Sequence, residues 1–249
     1  MKLAIIIISA MVAMCILPVM GEFTAEDWSN QANQYFINGS FEEAAASYDK
    51  ALELDPGNID LMNNNGKALA NLGRFEDAIA SFDKSLAINS SSVEALNLKG
   101  TALSQGLGRN DEAIASFNQA LQLNLTSFDA WNGKGMALAN SGDLSGSLTS
   151  LETATQVEPL NPLGWNNKGV VLRELGRYQD ALTSFNRALQ LDPFYKVAQQ
   201  NRDNTLQDID QNGQTQSGPS QSTQDMLYFG KIYIFLANIS LHKNSVWVR

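Results

Sequence analysis

Reactive side chains are almost missing from this sequence. Its 249 residues hold one cysteine and one histidine, Cys15 and His242, each near a terminus. Ser-His-Asp and Cys-His catalytic sets, and metal sites built on imidazole or thiolate, have no parts to draw on. One thiol makes no internal disulfide, so the fold must rest on packing alone. Positive charge is scarce as well. There are 17 Lys+Arg against 26 Asp+Glu, a formal net charge of -9, and a surface of that sign repels a phosphate backbone, which argues against nucleic acid as a partner. Charged residues of both signs reach only 17%, while hydrophobic residues make up 44%. A core is available, and the exterior falls to Asn, Gln and Ser.

Long apolar runs occur only at the two ends. "MKLAIIIISAMVAMCILPVMGEF" places Lys2 before an apolar run from Leu3 to Leu17, then Pro18 and small residues around Gly21. That order predicts a signal peptide over residues 1–21. An uncleaved N-terminal anchor is the alternative, since the run approaches the length needed to span a bilayer. Either reading makes the chain exported, extracytoplasmic or at the cell surface, and cleavage would remove Cys15. At the other end, "QNGQTQSGPSQSTQ" within 211–225 reads as a flexible linker. It leads into an apolar tail, 226–249, a candidate membrane segment interrupted by Lys231 and Asn238.

Between the ends the chain repeats itself. Gly39, Gly73, Gly108, Gly142 and Gly176 are spaced by 34, 35, 34 and 34 residues. In the same register stand Ala44, Ala78, Ala113, Ser147 and Ala181, and then Tyr48, Phe82, Phe117, Leu151 and Phe185. A further column is Ala51, Ser85, Ala120, Ala154 and Ala188. Upstream of each glycine lie Trp28, Met62, Leu96, Trp131 and Trp165, followed by Ala32, Gly66, Gly100, Gly135 and Gly169. Trp165, Gly169 and Leu172 share one helical face; Ala181, Phe185 and Ala188 share another. Gly176 supplies the left-handed residue that ends the first helix, and Pro193 ends the second. Each copy is thus predicted to be a helical hairpin that cannot bury both faces alone and needs its neighbours.

These columns resemble the tetratricopeptide repeat (TPR). The "WNxKG" runs are similar to repeats common in archaeal proteins. The resemblance implies an all-α, right-handed superhelical solenoid of five helix-turn-helix repeats, at 25–58, 59–92, 93–127, 128–161 and 162–195, with a C-terminal capping helix at 196–210. The third copy has one extra residue near Gly106, which is expected to lengthen its turn. The fourth, with Ser147 and Leu151, is expected to pack most loosely. The resemblance also implies a concave groove lined by first helices that holds an extended peptide. Groove positions carried over include Asn63, Lys67, Asn97, Thr101, Asn132, Met136, Asn166, Val170 and Arg173, with Asp60 and Glu94 beside them.

One groove column is asparagine four times: Asn63, Asn97, Asn132 and Asn166. A carboxamide donates and accepts at once, so a ladder of them could hold a peptide backbone whatever its side chains; the alternative is that they only cap or solvate that face. Lys99, Lys134 and Lys168 each precede a column glycine, and their stems are expected along the core edge with their heads in water. Glycosylation sequons begin at Asn38, Asn89 and Asn124, with another at Asn238. The acidic pairs Glu42-Glu43, Glu76-Asp77 and Asp111-Glu112 open second helices, where they suit the helix dipole. No catalytic residue, cofactor or metal site is predicted. The expected function is a non-enzymatic protein-interaction scaffold for a protein or peptide; the alternative is a tethered, glycosylated surface protein associated with the membrane through either terminus.

Overall fold

The computed structural model describes residues 23–215, with side chains to residue 211. The predicted leader and apolar tail, including Asn238 and His242, lie outside the described residues, as does the linker beyond Thr215. Within them the chain is all-helical, without a strand. Five hairpins follow one another: α1 (Ala25–Ile37) with α2 (Phe41–Leu54), α3 (Ile59–Asn71) with α4 (Phe75–Ile88), and α5 (Val93–Thr101) with α6 (Asn110–Leu123). Then come α7 (Phe128–Ser141) with α8 (Leu144–Val157), α9 (Pro162–Glu174) with α10 (Tyr178–Leu191), and a single last helix, α11 (Lys196–Thr215).

The punctuation is the one the spacing predicts. All five turn glycines have positive φ, between 66° and 94°, and no other described residue type does. Between copies the chain leaves each second helix through an extended residue, such as Asn89 (φ -131°, ψ 91°). It re-enters helix through a side-chain cap: Asn58 Oδ1 accepts from the Leu61 amide, Ser92 Oγ from Ala95, Ser127 Oγ from Ala130 and Asn161 Oδ1 from Leu163. Such caps typically stabilise a helix by about 1 kcal/mol each.

Packing within a copy follows the glycine and aromatic columns. A Cβ built on Gly100 would lie 2.8 Å from the Phe117 ring, one on Gly169 2.5 Å from Phe185, and one on Gly135 2.6 Å from Leu151. These side chains are therefore seated directly against first-helix backbone of their own copy. Phe117 also blocks a Cβ at Gly133 of the next copy, so this ring is wedged between two hairpins. Burying each such ring contributes about 1.5–3 kcal/mol. Tyr48, at the head of the column, donates its hydroxyl to Asn33 Oδ1 at 2.6 Å, and burial pushes that hydroxyl's pKa up to about 12.

Two expectations need correction. The extra residue of the third copy does not lengthen the turn. It is absorbed as a π-helical stretch, Ala102–Gly106, continuing α5. Widening one turn by one residue keeps Gly108 at the hairpin bend, and the ring of Phe75 fills the space where a Cβ at Gly106 would sit. The linker is also shorter than read, because α11 runs on to Thr215, through Gln211–Thr215. Helical bonding persists there through polar residues and Gly213, at a cost of roughly 1 kcal/mol for the glycine.

The fourth copy is buried but breaks the core. Ser147, Leu151 and Ala154 are fully enclosed. Yet the continuous apolar cluster that begins at Ala32 ends at Ala137, and Leu151 belongs to a small separate one with Ala139 and Val171, flanked by Leu144 and Leu148. Leu151 has no ring to wedge between hairpins as Phe117 does at Gly133.

First helices of successive copies meet directly, α3 with α5, α5 with α7, and α7 with α9, whereas successive second helices make at most marginal contact. The array therefore curves with its first helices inside. At the end α11 takes the place of another first helix, packing on both α9 and α10 and burying Ala198 and Thr205. The Trp column explains the fit. Trp131 Nε1 donates to the Leu125 carbonyl at 2.8 Å and Trp165 Nε1 to that of Pro159 at 2.9 Å. In α11 Gln199 stands in the same register and Nε2 donates to Pro193 at 2.8 Å, replacing the indole contact with a polar one.

Candidate functional site: the inner face of the first helices

The asparagine column lies on the inner face, but most of it is already bonded across copies. Asn132 Oδ1 accepts from Asn167 Nδ2 at 2.9 Å, and Asn166 Oδ1 accepts from Asn201 Nδ2 at 2.9 Å. Asn166 Nδ2 in turn donates to Asn167 Oδ1. The result is a chain of carboxamides crossing α7, α9 and α11. Asn97 Nδ2 reaches Ser127 Oγ at 3.3 Å. The expectation of four free carboxamides facing a ligand is therefore corrected: Asn97, Asn132 and Asn166 hold copies together. The partners Asn167 and Asn201 were missed. The signal for them was an offset of 35 residues, which links one column to its neighbour rather than to itself.

Asn63 is the exception. It is 2% exposed, and its Oδ1 is buried without a partner. The same is true of Asn97 Oδ1. A buried acceptor without a donor costs about 1–3 kcal/mol, so this end of the column carries unused bonding capacity that the other end lacks.

The remaining predicted groove residues divide in the same way. Lys67 bridges α3 to α5 through Glu94 at 2.7 Å, and Arg173 bridges α9 to α11 through Asp208 at 2.6 Å. Thr101 Oγ1 is turned back on its own helix, donating to the Asn97 carbonyl at 2.8 Å. Met136 is buried, and Val170 packs against the Leu172–Phe185 cluster; neither presents much surface. Asn140 Nδ2 makes a long contact of 3.4 Å to Ser104 Oγ. From α1 to α9 the inner face is polar: Ile37, Leu54, Ile88, Leu123, Leu125, Leu160 and Phe194, all large, apolar and exposed, sit at helix ends and in the turns joining copies, and Leu206 is exposed within α11.

The column lysines behave as their position predicts, with one addition. Lys99 reaches back to Asp83 of the preceding second helix at 2.7 Å, and Lys168 reaches Glu152 at 3.4 Å. Lys134 faces neutral Asn118 in that register and lies over the Trp131 ring, 5.4 Å from its centre. The carboxylate partners, Asp83 and Glu152, are about half-exposed, so each pair contributes at most about 1 kcal/mol.

Where α3 and α5 begin, a cleft of about 520 Å³ opens, lined by Asp55, Asn58, Asp60, Asn63, Asn89 and Glu94 among others. Asp60 and Glu94 were carried over as groove positions; Asp55 and Asn89 were not, because they lie in the turns between copies. Among the described residues no group of His, Cys, Asp and Glu is arranged to hold a metal, and no helix is long and apolar enough to cross a membrane. The sequon residues Asn38, Asn89 and Asn124 are all exposed. Asn89 and Asn124 occupy equivalent turns, each Oδ1 accepting from the amide two residues on, and Asn124 Oδ1 also accepts the Thr126 hydroxyl at 2.8 Å.

Family models for the tetratricopeptide repeat match residues 162–195 and, in two overlapping placements, 63–124 and 103–150; a TPR repeat model matches 32–73. No curated protein matches the chain. Among solved structures it is similar to a MamA protein, at 23% identity over 68% of this chain and 92% of that one, with a TM-score of 0.56. It is also similar to TTC0263, a thermophilic TPR protein in Thermus thermophilus, at 16% identity over 74% and 99%, TM-score 0.65. A third is YrrB, described as a TPR protein with an unusual peptide-binding site, at 26% identity over 74% and 94%, TM-score 0.53. With glycines at the hairpin bends, rings seated on glycine backbone, and repeat models matching more than half its length, the chain belongs to the tetratricopeptide-repeat family.

Proposed function

We propose that this chain is a non-enzymatic scaffold that holds an extended segment of a partner protein along the inner face of its first helices. The observation that supports this reading is the polarity of that face. It carries buried carboxamides, two of them with unpaired acceptors, while the large exposed apolar side chains between α1 and α10 sit at helix ends and in turns. A partner backbone, rich in N–H donors, is what such a face can bond. The resemblance to YrrB, a protein with a peptide-binding site, points the same way.

The test is site-specific crosslinking in the native source. A photoreactive residue at Thr101 on the inner face is expected to capture a discrete partner, while one at Lys84 on an outer helix captures none. Equal adducts from both positions would refute the groove. A second reading, an exported and tethered surface protein carrying glycans, is favoured by the exposed sequons Asn89 and Asn124 at equivalent turns. Intact mass of the protein from its native envelope decides it: unmodified Asn89 and Asn124, or an intact Met1 in a soluble product, would exclude a cleaved, glycosylated form.

A further inference from the structure

The cleft at the start of α3 and α5 is unlike the rest of the inner face, and its chemistry names a ligand. Three carboxylates, Asp55, Asp60 and Glu94, line it. No described cation lines it, and Lys67 beside it is already bonded to Glu94 at 2.7 Å and is itself largely covered. Two helix N-termini open here, and bare helix N-termini would favour an anion. These are not bare. Asn58 Oδ1 and Ser92 Oγ accept from the Leu61 and Ala95 amides, so the amides that an anion would seek are capped from within. Negative charge is left over.

The bonding capacity of the cleft has the same sense. Asp55 Oδ2 takes a bond from Asn58 Nδ2 at 2.8 Å and Asn89 Oδ1 takes one from the Ser91 amide. What stays unpaired is the carboxylate of Asp60, which makes no internal bond among the described residues, and the buried Oδ1 of Asn63. Both are acceptors. A group made only of donors and carrying positive charge satisfies both together, and the guanidinium, with five N–H donors in a planar fork, fits that demand better than a single ammonium. The whole chain, at net -9, favours approach of the same charge.

The geometry points to this cleft as the specificity pocket of the groove, taking an arginine side chain of the partner's extended segment. Resting on the scaffold reading, it adds what that reading leaves open: the chemical class of the bound segment and the end of the array at which it is fixed. A segment with Asp or Glu at the corresponding position is repelled.

Fluorescence anisotropy on the full chain tests it, with labelled octapeptides of alternating Gly and Ser carrying arginine at one central position, or citrulline or glutamate instead. Citrulline keeps the shape of arginine and loses its charge. The arginine peptide is expected to bind about tenfold or more tighter than the citrulline peptide, the worth of one charge-assisted contact, with no binding of the glutamate peptide. Asp60→Asn and Asn63→Leu are each expected to erase the arginine preference. Asn63 makes no internal bond, so this variant leaves the hairpins intact, as circular dichroism will show. Equal binding of arginine and citrulline peptides, or a preference that survives both substitutions, overturns the pocket. If the preference survives them but Asn140→Arg, at an exposed inner-face position of α7, abolishes binding, the groove stands and the pocket alone falls. If no peptide binds and crosslinking at Thr101 also fails, the scaffold reading falls with it.

Discussion

Ser85 and Ser147 offer a direct test of how the columns determine stability. Both are fully buried, and neither hydroxyl has a hydrogen-bond partner. Other helical serines here solve the same problem locally: Ser116, Ser150 and Ser184 donate to the carbonyl four residues back, at 3.1, 2.9 and 3.0 Å. Ser85 and Ser147 do not. Ser85 stands in a column that is otherwise Ala51, Ala120, Ala154 and Ala188, and Ser147 in one that is otherwise Ala44, Ala78, Ala113 and Ala181, all fully enclosed. The array therefore already closes over a methyl at these places. Removing an orphaned hydroxyl recovers about 1–3 kcal/mol of desolvation, and serine to alanine adds a few tenths of helix propensity. The emptied space returns some of that gain. A net stabilisation of about 1–2 kcal/mol per site is expected, or roughly 2–8 °C in Tm for an array of this size. The sites lie in different copies and share no partner, so Ser85→Ala and Ser147→Ala should add. Thermal and denaturant unfolding followed by circular dichroism measures it, with Ala113→Ser as the converse control that should destabilise by a similar amount. If both alanine variants leave the midpoint unchanged or lower it, the hydroxyls are satisfied and the reasoning from the columns fails.

Three further outcomes follow from the same packing. Gly169→Ala places a Cβ 2.5 Å from the fully buried Phe185 ring, so it is expected to destabilise by about 1–3 kcal/mol; an unaltered denaturant midpoint would show that the ring can yield. Trp165→Phe keeps the apolar face but leaves the Pro159 carbonyl without its indole donor, an expected loss of about 0.5–1.5 kcal/mol, and Gln199→Leu should cost a similar amount at Pro193; hydrogen exchange confined to α9 and α11 would report each. Burial holds the hydroxyls of Tyr48 and Tyr195 up to about 12, against roughly 10 in an unfolded chain. Because the folded value is the higher, their contribution is intact below pH 10 and is lost as pH rises towards 12. The unfolding midpoint should fall across that window and fall less steeply in Tyr48→Phe, and an identical alkaline slope in the two proteins would contradict it.

The hairpins were legible because their determinants recur. Gly73 or Gly176 alone is an ordinary glycine; five at one spacing fix both the bend and the hairpin length. The extra residue of the third copy was legible as a length but not as a shape. Whether it enlarges a loop or widens a helical turn depends on Phe75, a ring from the preceding copy that the local sequence does not reveal. The asparagine column was harder still. A carboxamide reads the same whether it faces a ligand or a neighbouring helix, and Asn132 differs from Asn63 only in what stands 35 residues on. Asn167 answers Asn132, whereas Leu98 stands in that place for Asn63 and offers no donor. The groove was visible as a face; its acidic cleft was not, because Asp55 and Asn89 come from turns that periodicity treats as spacers.

A repeating core raises a problem that its polar contacts address. Glycine against ring is nearly the same joint in the second, third and fifth copies, so among these apolar packing alone would accept a displaced hairpin almost as readily as the correct one. The polar pairs are not the same from joint to joint. Asn65 Nδ2 bonds Asp49 between the first and second copies, Lys67 bonds Glu94 between the second and third, Asn97 bonds Ser127 between the third and fourth, Asn167 bonds Asn132 between the fourth and fifth, and Arg173 bonds Asp208 at the cap. The ion pairs among them add little to stability, but Asn65, Asn97 and Asn167 are buried, and a displaced copy would leave several of these carboxamides unpaired together, a penalty of several kcal/mol from terms of about 1–3 each. Their distribution also has a consequence for binding. From α7 to α11 the carboxamides are used up in fixing the order of copies, whereas the α3–α5 joint, where Asn63 and Asp60 are unpaired, retains acceptors for something from outside.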